Sequence, residues 1–254
     1  MTLVVAGAAA VYTLRIADDC LVLSHRLAQW SSWAPALEDD LALTNIALDL
    51  LGQARGMYAR IAELDGTGRS EDDYAFLRGE RAFVNCQLVE QENGDFATTM
   101  VRQLLCSTYQ LAQWQALTAS TDEQVAAVAT KAVKETAYHR DLATDWTLRL
   151  GDGTDESHHR MEHALAALWP FTAELFESDA VTREVAALGV GPDPGDLRPE
   201  WDAYITRVLG DATLTAPEVS WRPTGGRQGL HTEAFGYMLA EMQHVHRSFP
   251  GVTW

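Results

Sequence analysis

Glu135 and His139 are the pair in this sequence best placed to do chemistry. They stand one helical turn apart on a stripe that otherwise reads Val125, Val128, Ala132, Leu142, Trp146 and Leu150, so both side chains are expected to point into a helix-packed interior. A carboxylate and an imidazole turned inward need partners, because burying a polar group without one is costly. Metal ligation inside a bundle is one solution; a mutually satisfied core pair is the other, and the plainer. A second polar stripe, Asn45, Asp49 and Gln53, runs at intervals of four through Leu41, Ala42, Leu43, Ile46, Ala47, Leu48, Leu50 and Leu51. That segment is apolar on nearly every side, as a central helix would be, so Asp49 must be paired. A hydrogen-bond rail fixing helix register explains it better than ligation, since Gln53 is a poor ligand and Asn45 a neutral one.

The remaining candidates are weaker. One literal Glu-x-x-His is Glu241-Met242-Gln243-His244. The inward stripe of its helix reads Phe235, Met238, Met242, Val245 and Phe249, which leaves Glu241 and His244 beside the buried face as a chance pair. His158 and His159 follow a Gly-rich turn and belong in solvent. Thr224-Gly225-Gly226-Arg227 before a helix could hold an anion, but a lone Gly-rich loop reads first as a turn. No nucleophile elbow, Walker loop or dinucleotide fingerprint is present. Cys20, Cys86 and Cys106 lie far apart without a Cys-x-x-Cys and read as buried thiols of a reducing compartment.

The elements that must position these residues are all helices. Ile16, Cys20, Leu23, Leu27 and Trp30 draw an apolar face on the first, with Arg15, Asp18, Asp19, Arg26 and Gln29 on its other side. Ala34-Pro35 breaks it, and a long helix follows from about residue 36 to 63, closed by Asp65-Gly66-Thr67-Gly68. A short helical piece is expected near 74–83. A third long helix opens at Asp95 and runs to about 117; a fourth runs from the cap at 120–123 to Leu150; a fifth spans about 157–177. Gly189 to Gly195 is irregular, and helices near 200–210 and 232–248 flank the connector 222–229. No segment alternates as a strand would. The expectation is a single all-α domain, with a bundle over about 12–177 and a C-terminal helical extension over about 178–254.

Composition narrows the function classes. The 254 residues carry 36 Asp plus Glu against 19 Lys plus Arg, a net charge of −17. Such a surface repels phosphate backbones and anionic lipid, which excludes nucleic-acid and membrane roles. The apolar start, Leu3 to Val11, has no preceding Lys or Arg to make a secretory leader, and no run reaches the ~18 residues of a membrane span. A cytoplasmic protein is expected.

Three stretches together resemble a known family. They are residues 41–55, from Leu41-Ala42-Leu43-Thr44-Asn45 to Gly52-Gln53-Ala54-Arg55; Ala132-Val133-Lys134-Glu135-Thr136-Ala137-Tyr138-His139; and Gly225-Gly226-Arg227-Gln228-Gly229-Leu230-His231-Thr232-Glu233 with Leu239-Ala240-Glu241-Met242-Gln243. They are similar to the non-catalytic structural subunits of multicomponent phenylacetyl-CoA ring epoxidases of aerobic phenylacetate catabolism, over about Tyr12 to Trp254. The resemblance implies a ferritin-like bundle and a related catalytic subunit carrying a di-iron site with two Glu-x-x-His motifs. Where that subunit has its first motif, this chain has Leu50-Leu51-Gly52-Gln53; the second falls on Thr136-Ala137-Tyr138-His139, leaving Glu135 one position out of register. The other carboxylates fall near Cys20 and around 105–107, where no acid stands, and Asp19 belongs to the polar face. Glu135, His139, Asp49 and Gln53 are then vestigial positions, with no catalytic residue and no metal or other cofactor in this chain. The resemblance implies a scaffold that binds the di-iron subunit and, through it, meets a reductase, with phenylacetyl-CoA held mainly by the partner. The rival readings are an independently active di-iron oxygenase or ferroxidase and an unrelated all-α binding module.

The lysines add a last expectation. Lys131 and Lys134 are the only two, and both share the helix of Glu135 and His139. Lys131, four residues before Glu135, or else Lys134, either replaces the charge of the lost metal or forms an ordinary surface pair.

Overall fold

The computed structural model describes residues 7–252, so Leu3 to Ala6 of the apolar start lie outside the described residues. Four long helices make the frame: α1 (Ala8–Ala28), α2 (Leu37–Asp65), with α5 (Phe96–Leu117) and α6 (Glu123–Gly151) further along the chain. Between the pairs lie the short α3 (Glu71–Phe76) and α4 (Gln87–Glu90); after them come α7 (Asp155–Leu168), α8 (Ala180–Ala187), α9 (Arg198–Asp211) and α10 (Glu233–Ser248). No strand occurs among the described residues.

Local chemistry sets the ends of the frame. Asp95 caps α5 by accepting from Thr98 N, and Asp122 caps α6 by accepting from Gln124 N and Val125 N. Gly66, at φ 60°, takes the left-handed position that closes α2. α1 lies antiparallel to α2, α5 to α6, and α2 to α6, which closes a four-helix bundle. The architecture is ferritin-like, with extra helices packed on it. α8 lies against α1, α9 across α5 and α6, and α10 against α3, where Gln243 donates to the carbonyls of Ala75 and Arg78, each at 3.0 Å.

The structure departs from the periodicity reading in four places. The fifth helix stops at Leu168 and continues as a 3-10 segment over Trp169–Phe176, because Pro170 has no N–H to give an α-helical ladder. Arg15, Asp18, Asp19 and Arg26 are buried, although they form the polar side of α1. Leu41 and Leu48 of α2 are exposed, and so is Asn45. Val245 and Phe249 are also exposed: the side of α10 that turns inward carries Phe235, Met238, Leu239 and Gln243 instead.

Candidate functional site

Side chains from α1, α2 and α6 meet at the bundle centre in two short polar chains. In the first, Cys20 Sγ approaches Gln53 Oε1 at 3.7 Å, Gln53 Nε2 donates to Glu135 Oε2 at 3.0 Å, and Lys131 Nζ meets Glu135 Oε1 at 3.0 Å. In the second, His139 Nε2 lies 3.1 Å from Asp49 Oδ2. Asn45, the third residue of the expected rail, points to solvent and takes no part. The helices can come this close because Gly56 of α2 faces Val128 of α6; a Cβ there would lie 2.9 Å from Val128 Cγ2. One turn away, Gly52 leaves open a groove of about 300 Å³, lined by Gln53, Ala127, Val128, Lys131 and Glu135.

Burial decides the charge states at this centre. It holds the His139 imidazole below its ordinary range, although the hydrogen bond and charge of Asp49 pull the other way. It also pushes the Cys20 thiol well up, with Asp19 and Glu135 adding to the effect, so Cys20 offers no thiolate.

The donor set does not suit two irons. Hard ferrous and ferric ions need several anionic oxygen ligands. Here Glu135 is engaged by Gln53 and Lys131, Asp49 lies half-exposed on the far side of His139, and the α5 positions opposite carry Gln103 and Ser107. No cluster of three or more His, Cys, Asp or Glu able to hold a metal ion occurs among the described residues. Glu241 and His244 are exposed, as is His159, while His158 is half-buried with Nδ1 at 2.6 Å from the carbonyl of Gly151.

Lys131 balances Glu135 from solvent. Its side chain is 76 % exposed, and Lys134 is exposed as well. Screening by water leaves such an i,i+4 pair worth about 0.3–0.5 kcal/mol. Replacing Lys131 by Met is therefore expected to shift stability by less than about 1 kcal/mol in urea unfolding; a loss of roughly 3 kcal/mol or more would mean a stranded buried charge instead.

The strongest electrostatics lie elsewhere, where the Gly-rich connector closes on α1. Asp18 takes a fork from Arg78, a hydrogen bond from Tyr58 Oη at 2.6 Å and one from Val84 N at 2.9 Å. Asp19 takes Arg227 through two bonds of 2.9 and 2.8 Å and Cys86 N at 2.7 Å. Gly225 N and Gly226 N do hold an anion, the chain's own Glu174, at 3.0 and 2.7 Å. Gln87 N adds a third bond at 2.7 Å, and burial still keeps this carboxyl above its usual range. Only Gly fits at 226, since a Cβ would lie 2.3 Å from the Asn85 carbonyl. His231 completes the junction, with Nδ1 2.7 Å from Glu90 Oε2 and Nε2 3.0 Å from the Phe83 carbonyl. The sequence marks these residues only as the polar side of α1 and does not show this network; its one local signal is the anion-holding geometry of Thr224 to Arg227.

The fold and the site together define a class: a ferritin-like helical bundle whose centre is polar yet poor in carboxylates. The family model described as "Phenylacetic acid catabolic protein" matches residues 4–254, and the chain belongs to that family. It is 49 % identical over 243 residues to one of the subunits of the 1,2-phenylacetyl-CoA epoxidase of Escherichia coli (strain K12), covering 96 % of this chain and 98 % of that protein. Membership of this family removes the reading as an unrelated helical module.

Proposed function

We propose that this chain folds as one ferritin-like domain and serves in the cytoplasm as the non-catalytic scaffold of a phenylacetyl-CoA ring epoxidase. In this reading it binds the di-iron catalytic subunit and supports epoxidation of the aromatic ring with dioxygen and reductase-delivered electrons. The observation that carries it is the outer face of α2 and α6. Leu37, Leu41 and Leu48 are 70 %, 57 % and 60 % exposed, and Tyr138 on α6 lies level with Leu48. Trp33 stands at the entrance to α2, also exposed. A row of large apolar side chains along long helices is what a stable subunit interface covers, on the order of 2,000 Å² for such assemblies. The relative's designation as a subunit supports the existence of partners. The charge of −17 supports a substrate held mainly by the partner, because an anionic CoA ester gains nothing from this surface.

Anaerobic iron reconstitution followed by metal quantification tests the non-catalytic part. The expected result is no stoichiometric iron, since the anionic oxygen donors are missing. Two tightly held irons per chain would instead support an independently active di-iron oxygenase or ferroxidase.

A further inference from the structure

Around the two polar chains of the bundle centre lies a set of buried polar atoms with no protein partner. On α5, Gln103, Ser107, Gln110 and Trp114 form one buried stripe. Both amide atoms of Gln103, Oε1 of Gln110 and Nε1 of Trp114 make no hydrogen bond. The opposite side of α5 is already engaged by the C-terminal half: the Leu105 carbonyl accepts from Trp201 Nε1 at 3.0 Å, and the Tyr109 ring packs on Phe176 at 5.6 Å. The Gln103 stripe therefore turns toward the bundle interior.

α6 supplies the facing atoms. His139 Nδ1 and Thr136 Oγ1 are buried and unpartnered as well. The Thr136 hydroxyl does not fold back on its own helix, as those of Thr130 and Thr147 do toward Ala126 and Ala143 at 2.8 and 2.7 Å. The register follows from an aromatic contact: the rings of Phe96 on α5 and Trp146 on α6 meet edge to face at 5.0 Å. Gln103 lies seven residues after Phe96, and His139 seven before Trp146. On antiparallel helices these are two turns each from the contact, which puts Gln103 and His139 at one level.

We propose that the centre of the bundle is an internal site for bound water, held by Gln103, Thr136 and His139 Nδ1. Gln103 offers a donor and an acceptor, Thr136 either, and the imidazole a second ring nitrogen whose fellow is tied to Asp49. Water matches such a mixed set because it donates and accepts at once, and native interiors satisfy buried polar groups in this way. A cation does not match it: Glu135 is already satisfied by Gln53 and Lys131, and Asp49 by His139. The water joins α5 to α6 across the core and fixes the ring of His139, whose other edge reaches Asp49 beside the exposed face of α2.

Water-to-protein nuclear Overhauser spectra of the full chain, with Gln and Thr side chains assigned, test this directly. Slowly exchanging water is expected against the Gln103 side-chain amide and the Thr136 methyl. The oxygen-17 relaxation dispersion is expected to lose about one long-lived water per chain in Gln103→Met. Absence of water contacts at both side chains in the wild-type protein overturns the proposal, whether or not the variant folds. An unchanged dispersion in a folded Gln103→Met overturns it equally, as does a direct hydrogen bond from the Gln103 amide to His139 Nδ1.

Discussion

Replacing Arg227 by Met is expected to lower the stability of the chain by roughly 3–5 kcal/mol, the range for removing one member of a buried ion pair. The reason is Asp19. Its carboxylate is buried on α1 and loses two charge-assisted bonds at once, keeping only Cys86 N at 2.7 Å. Arg227 also donates to the Val84 carbonyl at 3.1 Å, so the same change loosens the connector from the segment before α4. Urea unfolding of the single variant and of Arg227→Met combined with Asp19→Asn separates the terms. The double variant should regain much of the loss, because the stranded charge is gone. A single variant within about 1 kcal/mol of wild type would show that the fork contributes no more than a surface pair does.

His231 is expected to make stability fall as pH rises. Both of its ring nitrogens face acceptors, Glu90 Oε2 and the Phe83 carbonyl, so the ring must carry two protons to satisfy them. Burial works against that charge, but the hydrogen bond and charge of Glu90, with the Phe83 carbonyl, outweigh it and hold the pKa above the ordinary value. A His whose folded pKa is raised stabilises fully below its unfolded pKa of about 6.5, and the contribution disappears as pH climbs through the folded value. His231→Gln is expected to lose roughly 1.5–3 kcal/mol at pH 6, as for a hydrogen bond to a charged group, with a smaller deficit at alkaline pH. His25 and His139, held low by burial, give the opposite slope as pH falls below about 6.5. The difference between wild type and variant cancels them. A deficit that does not change with pH would contradict a charged His231.

How far the sequence revealed this depends on the reach of each signal. The frame was legible because its signals are local: Asp95 and Asp122 cap α5 and α6, and Gly66 ends α2, each within a few residues of where periodicity places the boundary. The inward turn of His139 and the pairing of Asp49 followed from the same periodicity. The burial of the polar side of α1 was not legible because amphipathicity reports only which face is polar, not what covers it. Asp19 finds Arg227 across 208 residues and Asp18 finds Arg78 across 60, distances at which one sequence carries no pattern. The same blindness works in reverse on α2. Leu41 and Leu48 read as core because they are apolar, yet the isolated chain leaves both in solvent. Pro170 was a readable stop inside the helix expected over about 157–177.

In the proposed function this chain acts by binding a di-iron partner through the apolar face of α2 and α6. Light scattering on a size-exclusion column, with the purified chain mixed with the catalytic subunit, tests it most directly. The expected result is one peak whose mass contains both proteins, lost when Leu41→Glu and Leu48→Glu are introduced together. Two peaks at the masses of the separate proteins would contradict it.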